Sequence, residues 1–428
     1  MNVSVIGSGY VGTTHAACLA ELGHDVVAID IDEEIVAAIN DGRAPIHEPG
    51  LDDLVAEHSG DRLRATTDYD AVPETAVTFV CVQTPSAGDG GQDLAAYEAV
   101  AHSLGEQLPA ADEGHLVVTK STVLPGTGDE VLAPILEAES GLHAGEDFHV
   151  AMNPEFLREG SAVADYHDPD KIVLGGDGYA HDRLRTLYAP LIEAADPTVV
   201  ETGLREAELI KYANNAFLAA KVSLVNDLGN VCKELGIDSY EIAEAVGLDD
   251  RIGAQFMRSG LGWGGSCFPK DIDALRWLAR QHDYEPAVFD AAVAVNDGQP
   301  TRLVDLLERH VDPEGARVAV LGLSFKPGTD DVRNSRALDV VEQLHEWGAE
   351  VVAYDPAAMD EVRERLPELT YADGPEDALA GAEAVCICTE WPEFDDLDYS
   401  GMERSVVIDG RRVEVDRDAV EVYEGLCW

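Results

Sequence analysis

The most constraining feature of the sequence is a glycine-rich turn between an apolar strand and a helix at its amino end. Gly7, Gly9 and Gly12 in VSVIGSGYVG suit, in that order, a tight turn, a close approach of the backbone to a pyrophosphate, and close helix packing. The next strand, DVVAI, ends at Asp30, where a carboxylate accepts from both ribose hydroxyls and repels the extra phosphate of NADP. A turn that served folding alone would not need that carboxylate. We therefore predict NAD binding by Gly7, Gly9, Tyr10, Val11, Gly12 and Asp30.

Short β-branched runs alternate with helical patterns in the first part of the 428-residue chain, which is too long for one compact core. The predicted strands there are NVSVIG, DVVAID, VTFVCVQTP, HLVVTKSTV, FHVAMNP and KIVLGG. This alternation indicates right-handed βαβ units in a largely parallel sheet. A proline-free stretch after Thr202 predicts one long helix, and RVAVLGL, EVVAYDP, AVCICTE and SVVIDG then restart the alternation. We expect an α/β fold with two Rossmann-like doubly wound domains, 1–200 and 301–428, joined by a helical central domain, 201–300.

The chain is strongly acidic, with 83 acidic residues against 29 basic ones and a formal net charge of -54. No single acidic run accounts for the excess, so it covers surfaces throughout. Such a charge repels nucleic acid and anionic membranes, and its self-repulsion requires screening by salt. The amino end MNVSVIGSG lacks a leader pattern, and no uninterrupted apolar stretch of about 18 residues occurs elsewhere. We expect a soluble cytoplasmic protein adapted to high salt, with neither nucleic acid nor a membrane as a partner.

The seven cysteines are scattered and contain no CxxC pair, which argues against a disulfide framework and a structural zinc site. We expect four of them, Cys18, Cys81, Cys386 and Cys388, in the core because they lie in apolar patterns. No metal site is expected.

Cys267 differs because it lies in the glycine-rich string LGWGGSCFPKD. The glycines would leave backbone amides free to meet a ligand, and Lys270 and Asp271 follow closely. With a cation or general base nearby, the thiolate of Cys267 can act as a nucleophile. A structural cysteine in a glycine-rich loop is the alternative.

Two further pairs of polar residues are spaced for chemistry. Lys211 and Asn215 share one face of the predicted long helix and can donate to an oxygen that gains negative charge. Glu155 and Glu159 in MNPEFLREGSAV follow a strand and can act as bases toward water. A solvated helix face and a charged helix start are the respective alternatives.

Hydroxyl groups at two strand ends are candidates for contacts with the cofactor. They belong to the pairs Thr84-Pro85 and Ser121-Thr122, which end the strands VTFVCVQ and VVTK. Ordinary helix caps or turns are the alternative.

These motifs together resemble the UDP-glucose and GDP-mannose dehydrogenase family over nearly the whole chain. The motifs GSGYVG, Asp30, QTPS, KSTV with its following GT, NPEFLREG, KYANNAF, GGSCFPKD, FKPGTDDVRNS and DGRR all occur in the family's order. The resemblance implies oxidation of a sugar nucleotide from primary alcohol to carboxylate, with two hydrides passed in turn to two NAD molecules. It also implies that Cys267 adds to the intermediate aldehyde and that water hydrolyses the resulting thioester.

The resemblance also implies a role for individual side chains. Lys211 and Asn215 would stabilise the developing oxyanion, and Glu155 would be the base for hydrolysis. Asp271 and Thr122 would position a water molecule, and Glu159 would support the cofactor side. Lys270 has no assigned chemistry and would be structural or face a phosphate, with a plain surface lysine as the alternative. The implied substrate contacts in these motifs are Glu155, Phe156, Leu157, Lys211, Asn215 and Gly264.

The second alternating block lacks a glycine triplet, and its loop SFKPGTDDVRNS supplies cations. We expect Lys326, Arg333 and Arg411 to contact phosphate and sugar, since a pyrophosphate requires cations that are scarce in this chain. A plain surface charge is the alternative for each.

The string DDRIG followed by GGSCFPKD resembles the UDP-glucose branch of the family. In that branch the arginine, here Arg251, reaches the substrate of the neighbouring subunit. UDP-glucose is thus the implied substrate, and a homodimer or higher oligomer with the long helix as interface is the implied assembly. The GDP-mannose branch is the alternative substrate class, whereas the N-acetylmannosamine branch lacks the SCFPKD string.

Two other kinds of protein remain open from the sequence. A two-electron NAD-dependent dehydrogenase of hydroxy acids would release one NADH per substrate. A non-catalytic NAD-binding or assembly protein would bind NAD without turnover. Cys267, Lys211 and the carboxylates of NPEFLREG argue against both.

Overall fold

The computed structural model describes all residues, 1–428. The chain divides into two compact units, Met1–Asn214 and Asn215–Trp428. The division falls within a long helix, so the domain boundaries at residues 200 and 300 stay a prediction. None of the helices combines the length and apolarity that a membrane crossing requires.

The first unit is built on an eight-stranded sheet with the order β3-β2-β1-β4-β5-β6-β7-β8. All neighbouring strands are parallel except β6 and β7, which are antiparallel. The strands are β1 Asn2–Ile6, β2 Asp25–Ile29, β3 Leu63–Thr66, β4 Val77–Val80, β5 His115–Thr119, β6 Phe148–Met152, β7 Lys171–Gly175 and β8 Thr198–Thr202. The helices are α1 Tyr10–Glu21, α2 Glu33–Asn40, α3 Leu51–His58, α4 Ala95–Gln107, α5 Ala133–Ser140, α6 Ala162–His167, α7 Gly178–Leu187 and α8 Ala189–Ala195.

The central strands of this sheet are buried on both faces. Val26 and Ala28 of β2 belong to one apolar cluster, and the intervening Val27 with Ile29 belongs to another. Because successive strand side chains point to opposite faces, helices cover the sheet on both sides. Ligands of such sheets bind beyond the carboxyl ends of the strands.

The second unit holds a six-stranded parallel sheet with the order β11-β10-β9-β12-β13-β14. Its strands are β9 Arg317–Leu321, β10 Glu350–Tyr354, β11 Thr370–Tyr371, β12 Ala384–Ile387, β13 Val406–Asp409 and β14 Val422–Gly425. The helices from the end of the first unit onward are α9 Leu204–Leu235, α10 Ser239–Gly247, α11 Phe268–Gln281, α12 Ala287–Glu308, α13 Arg336–Glu346, α14 Met359–Arg365 and α15 Pro375–Leu379.

The predicted fold class is confirmed: the structure has two Rossmann-like sheets, one largely and one wholly parallel, and a long helix, α9, of 32 residues. The short strands β3, β8, β11 and β14 were not predicted, because they lie toward the outer edges of the sheets and alternate little in hydrophobicity. The four cysteines expected in the core are buried, whereas Cys267 is exposed.

Candidate active site

The glycine turn after β1 has the geometry that dinucleotide binding requires. Gly7 has a φ of +91°, and a Cβ at Gly12 would lie 1.7 Å from the Gly7 carbonyl oxygen, so both positions exclude side chains. A Cβ at Gly9 would meet no atom within 4 Å, so this side of the turn is open to a ligand. Helix α1 begins directly afterwards, and its amino end favours an anion such as a pyrophosphate.

Asp30 follows β2 beside this turn. Its Oδ2 accepts from the Ser8 amide at 2.5 Å, and its Oδ1 accepts from the Asp32 amide at 3.0 Å. Ile31, which sequence reasoning missed, exposes 88% of its surface next to this carboxylate. The sequence signal was an isoleucine directly after the acidic strand end, because an adenine ring needs an apolar surface beside the ribose-binding carboxylate.

A buried carboxylate that sequence reasoning also missed holds the glycine-turn helix to the NPEFLREG loop. Glu48 bonds to the Tyr10 hydroxyl and accepts from the amides of Gly160 and Ala162 at 2.9 and 2.8 Å. Burial and the Glu48 carboxylate raise the pKa of Tyr10. Glu159 lies half-buried in the same loop.

The predicted cofactor hydroxyls contact backbone carbonyls at the ends of β4 and β5. Thr84 Oγ1 donates to the Thr122 carbonyl at 2.7 Å, and Ser121 Oγ donates to the Val82 carbonyl at 2.7 Å. Pro85 is exposed, and Thr122 is half-buried. These bonds fix the two strand ends to one another. Contacts of these residues with a cofactor stay a prediction.

Glu155 and Lys211 form an almost buried ion pair within the first unit. Lys211 Nζ donates to Glu155 Oε1 at 2.6 Å, and the two side chains are 6% and 11% exposed. The Leu157 amide donates to the other carboxylate oxygen at 2.6 Å, and the Phe156 ring lies 5.6 Å from Lys211 Nζ. Residues 153–158 form a loop, so the alternative of a charged helix start does not apply.

A second buried lysine, which directly follows β5, contacts the start of the NPEFLREG loop. Lys120 Nζ donates to Asn153 Oδ1 at 2.8 Å, and the Tyr188 hydroxyl donates to the same oxygen at 2.6 Å. Burial lowers the pKa of Lys120 to about 8, while the charges of Cys81 and Glu155 oppose that shift. Because Asn153 lies two positions before Glu155, this contact helps to fix the catalytic candidate.

Cys267 lies at the amino end of α11 within the second unit. Its Sγ is 3.6 Å from Ser266 Oγ, and the helix amino end stabilises negative charge on the sulfur. Asp271, in the first turn of α11, is buried and accepts from Asn215 Nδ2 and Lys270 Nζ, both at 2.6 Å. The structure therefore groups the nucleophile candidate with Asp271, Asn215 and Lys270.

The glycines before Cys267 have a different role from the one predicted. The Gly265 amide donates to the Arg333 carbonyl at 2.9 Å, so it is not free to meet a ligand. A Cβ at Gly264 would lie 2.2 Å from the Asn334 carbonyl oxygen, and one at Gly265 would lie 2.8 Å from the Phe325 ring. These glycines allow the loop to pack closely on residues 325–334, and the expectation of free amides is wrong at Gly265.

The predicted cations of the second unit all contact other protein groups. Arg333 bonds to Asp331, Arg251 bonds to Asp249, and Arg411 Nε donates to the Cys388 carbonyl at 2.8 Å. The Arg251 side chain is 88% exposed. Lys326 Nζ lies 5.5 Å from the centre of the Phe325 ring.

Arg411 also lines a cleft of about 520 Å³, together with three further arginines that sequence reasoning missed, Arg258, Arg412 and Arg417, and with the carboxylates of Asp396, Glu414 and Asp416. Arg412 forms a two-point ion pair with Asp238 and covers the Tyr240 ring at 4.2 Å. The scarcity of basic residues in the chain was the signal that could have drawn attention to them.

Comparison with known proteins decides the family. The sequence model of the UDP-glucose/GDP-mannose dehydrogenase NAD-binding domain matches residues 1–192, that of the central domain matches 205–298, and that of the UDP-binding domain matches 319–415. The chain belongs to this family. As a UDP-glucose/GDP-mannose dehydrogenase family member it is an NAD-dependent nucleotide-sugar dehydrogenase, and the open turn at Gly9 beside Asp30 fits that cofactor.

Relatives of this dehydrogenase match along its whole length. UDP-glucose 6-dehydrogenase AglM of Haloferax volcanii is 57% identical over 430 residues and covers 100% of both chains. GDP-mannose 6-dehydrogenase of Azotobacter vinelandii is 38% identical over 445 residues, again with 100% of both chains covered. Among solved structures, a UDP-glucose dehydrogenase from Pyrobaculum islandicum has a TM-score of 0.92 at 44% identity and covers 100% of this chain and 98% of its own.

Proposed function

We propose that this dehydrogenase oxidises UDP-glucose to UDP-glucuronate in two steps and uses two NAD molecules per turnover. The relatives named UDP-glucose 6-dehydrogenase, at 57% and 42% identity, support the choice of substrate. The exposed Cys267 at the amino end of α11 is the observation that supports the two-step chemistry, because oxidation of an alcohol to an aldehyde needs no thiol.

The reaction balances with water as the only further reactant. When bound, NAD supplies the hydride acceptor for both oxidations. In the first, the primary alcohol loses a hydride and a proton and becomes an aldehyde. Cys267 sulfur then adds to the aldehyde carbon, and loss of a second hydride and a proton from the thiohemiacetal gives a thioester. Water attacks the thioester carbon, the carbon–sulfur bond breaks, and the products are the carboxylate, the free thiol and a proton.

Lys211 and Asn215 stabilise the oxygen that becomes negative when sulfur or water adds. They are four positions apart on the continuous helix α9, and each already carries an N–H donor bonded to an anionic oxygen. A substrate oxyanion replaces those partners at the developing charge, where such donors are most effective.

Carboxylates activate and position the water molecule that hydrolyses the thioester. Glu155, with its Oε2 fixed by the Leu157 amide, is the base for thioester hydrolysis. Asp271 and Thr122 position the water molecule, and Glu159 supports the cofactor side. Lys211 is the ion-pair partner of this base, so when Lys211 binds the substrate oxyanion its contact with Glu155 weakens.

The nucleotide half of the substrate binds at the basic cleft. Four arginines, Arg258, Arg411, Arg412 and Arg417, line it beside three carboxylates in a chain with few basic residues, and a pyrophosphate requires such donors. Lys326 and Arg333, in the loop that packs on the glycines before Cys267, complete the phosphate and sugar contacts.

The enzyme acts as a homodimer or a higher oligomer formed through α9. This helix exposes an apolar line at helical spacing, made by Phe217, Leu224, Leu228, Val231 and Leu235. An exposed apolar line of this length is typical of a surface that a protein partner covers. Arg251, exposed beyond α10, reaches the substrate bound to the partner subunit.

The experiment that tests the substrate assignment measures NADH formation with UDP-glucose, GDP-mannose and UDP-N-acetylmannosamine as separate substrates. The assay is run in concentrated salt because the net charge of -54 needs screening. We expect UDP-glucose to have the highest kcat/KM. Preference for GDP-mannose would overturn the substrate while retaining the chemistry, and inactivity with all three would overturn the proposed function.

A further inference from the structure

One buried carboxylate of the first unit has no role in the reaction described above. Glu208 lies on α9, one turn before Lys211, and its relative exposure is 0%. Its Oε2 accepts from the Gly126 amide at 2.6 Å, and its Oε1 accepts from the Gly128 amide at 2.8 Å. Burial of a carboxylate costs free energy unless hydrogen bonds or ion pairs compensate it, and here two backbone amides provide the hydrogen bonds. A carboxylate kept in such a position requires an explanation.

The two amides belong to the segment that follows β5. This segment, residues 120–128, contains Ser121 and Thr122 and leads into a π-helical turn, Gly128–Leu132. A Cβ at Gly128 would lie 2.7 Å from Leu204 Cδ2 and 3.0 Å from Glu208 Oε1, so the segment packs directly on α9. Glu208 thus holds the far end of the segment to the helix.

The near end of the segment is held by a different residue. Gln92 Nε2 donates to the Thr122 carbonyl at 2.6 Å, and Gln92 Oε1 accepts from the Leu124 amide at 3.1 Å. The same Nε2 lies 3.2 Å from the hydroxyl of Tyr212, the residue after Lys211 on α9. Both ends of the segment are therefore linked by hydrogen bonds to the part of α9 that contains Lys211, through Glu208 at one end and through Gln92 and Tyr212 at the other.

We propose that Glu208 is a positioning residue, whose carboxylate holds the Ser121–Thr122 segment at a fixed distance from Lys211 during the reaction. This inference rests on the proposed function for the roles of Thr122 and Lys211. Loss of the carboxylate lets the segment shift, and a misplacement of about 1 Å at a reacting group can reduce the rate by about a hundredfold.

The protonation state of Glu208 adds a pH dependence to this tether. Burial, together with the Asp129 charge, raises the pKa of Glu208 to about 7, although the two amides and Arg205 oppose the shift. The other charged or titratable groups nearby are Tyr97 on α4, Glu130 in the π-helical turn, which pairs with Arg205, and Lys211 three positions further along α9. Protonation replaces one acceptor oxygen by a hydroxyl, so the tether weakens as the pH falls below about 7.

The test compares Glu208→Gln with the matched control Glu206→Gln, which removes an exposed carboxylate from the same helix. We expect kcat of Glu208→Gln to fall by about tenfold with KM values within about threefold, because the segment is loosened and binding groups remain. We also expect the rise of kcat through pH 7 to be absent in this variant and present in the control. A Glu208→Gln variant with unchanged kcat, or with the wild-type pH profile, would overturn the proposal.

Two further measurements keep the test decisive. If Glu208→Gln does not fold, Glu208→Asp retains the charge on a shorter side chain, and we expect a lower kcat with the pH 7 rise retained; a wild-type kcat would overturn the tether. If the wild-type protein oxidises no nucleotide sugar, the proposed function fails, and amide hydrogen exchange still tests the contact. Exchange at Gly126 and Gly128 should be faster in either variant than in the control, and equal exchange would contradict the contact.

Discussion

Lys211 Nζ lies 2.6 Å from Glu155 Oε1, and both side chains are nearly buried. The cation proposed to stabilise the oxyanion is thus the direct partner of the proposed base. Removing one member of a buried pair leaves an uncompensated charge, at a cost of about 3–5 kcal/mol. An amide in place of the carboxylate keeps an acceptor for Lys211, so Glu155→Gln separates the chemistry from the stability better than Glu155→Ala does.

The Glu155→Gln variant should stop after the second oxidation. The steps before hydrolysis do not need this base, so we expect a burst of two NADH per site followed by a steady rate reduced by about 10²–10⁴. The thioester on Cys267 should accumulate and be visible in the mass of the intact, acid-quenched protein. The surface variant Glu146→Gln should turn over as the wild type does, without an adduct. If the Glu155→Gln protein carries no thioester adduct at saturating UDP-glucose and NAD, Glu155 does not act in the hydrolytic step.

The Asp30→Asn variant should lose discrimination between NAD and NADP. The asparagine oxygen can still accept from the Ser8 amide, which now bonds to Asp30 Oδ2 at 2.5 Å, so the turn survives. The loss of a charged hydrogen-bond acceptor and of repulsion toward a 2′-phosphate should change the ratio of kcat/KM values by about tenfold or more. Steady-state kinetics with both cofactors measure this ratio, and Asp53→Asn, an exposed change, is the control. An unchanged ratio would mean that the carboxylate does not face the ribose.

Lys120 should make the stability of the protein rise with pH above about 8. The pKa of this lysine falls from 10.5 to about 8 in the folded protein, so between these values the unfolded chain binds the proton more tightly. The difference corresponds to roughly 3 kcal/mol of unfolding free energy, gained as the pH increases. Urea unfolding at several pH values should show this rise in the wild type and a smaller one in Lys120→Met. Equal slopes for the two proteins would show that Lys120 titrates normally.

Local sequence sufficed for the cofactor turn and for the positions of most strands along the chain. Gly7 has a positive φ, Gly12 packs against the Gly7 carbonyl and Asp30 accepts from the Ser8 amide, so these requirements arise within one βαβ unit. The roles of Gly264 and Gly265 could not be read in this way, because their limiting neighbours are Asn334 and Phe325, which are distant along the chain.

Buried carboxylates were the main omission, and the reason is physical. Glu48 and Glu208 look like ordinary charged residues in an acidic chain, and their partners are backbone amides that leave no sequence signal. The arginine cleft was identified only in part, because Arg258, which is distant along the chain, meets Arg411 only through the tertiary structure.

Mixed dimers test the proposed contribution of Arg251 to the partner's site. Arg251→Ala and Cys267→Ser chains are produced together with different affinity tags, so that only mixed dimers are purified. Each mixed dimer should contain one complete site, built from Cys267 of one chain and Arg251 of the other, and should show about half of the wild-type activity. Activity no higher than that of the Arg251→Ala dimer would place Arg251 in its own subunit's site or outside any site.

The most direct test of the account is the number of NADH molecules formed per UDP-glucose consumed, measured to completion in concentrated salt for the wild type and for Cys267→Ser. The account predicts two NADH per UDP-glucose for the wild type, with UDP-glucuronate as the product, and no such four-electron conversion by Cys267→Ser. A ratio of one, or two NADH per UDP-glucose from the serine variant, would contradict the thioester mechanism.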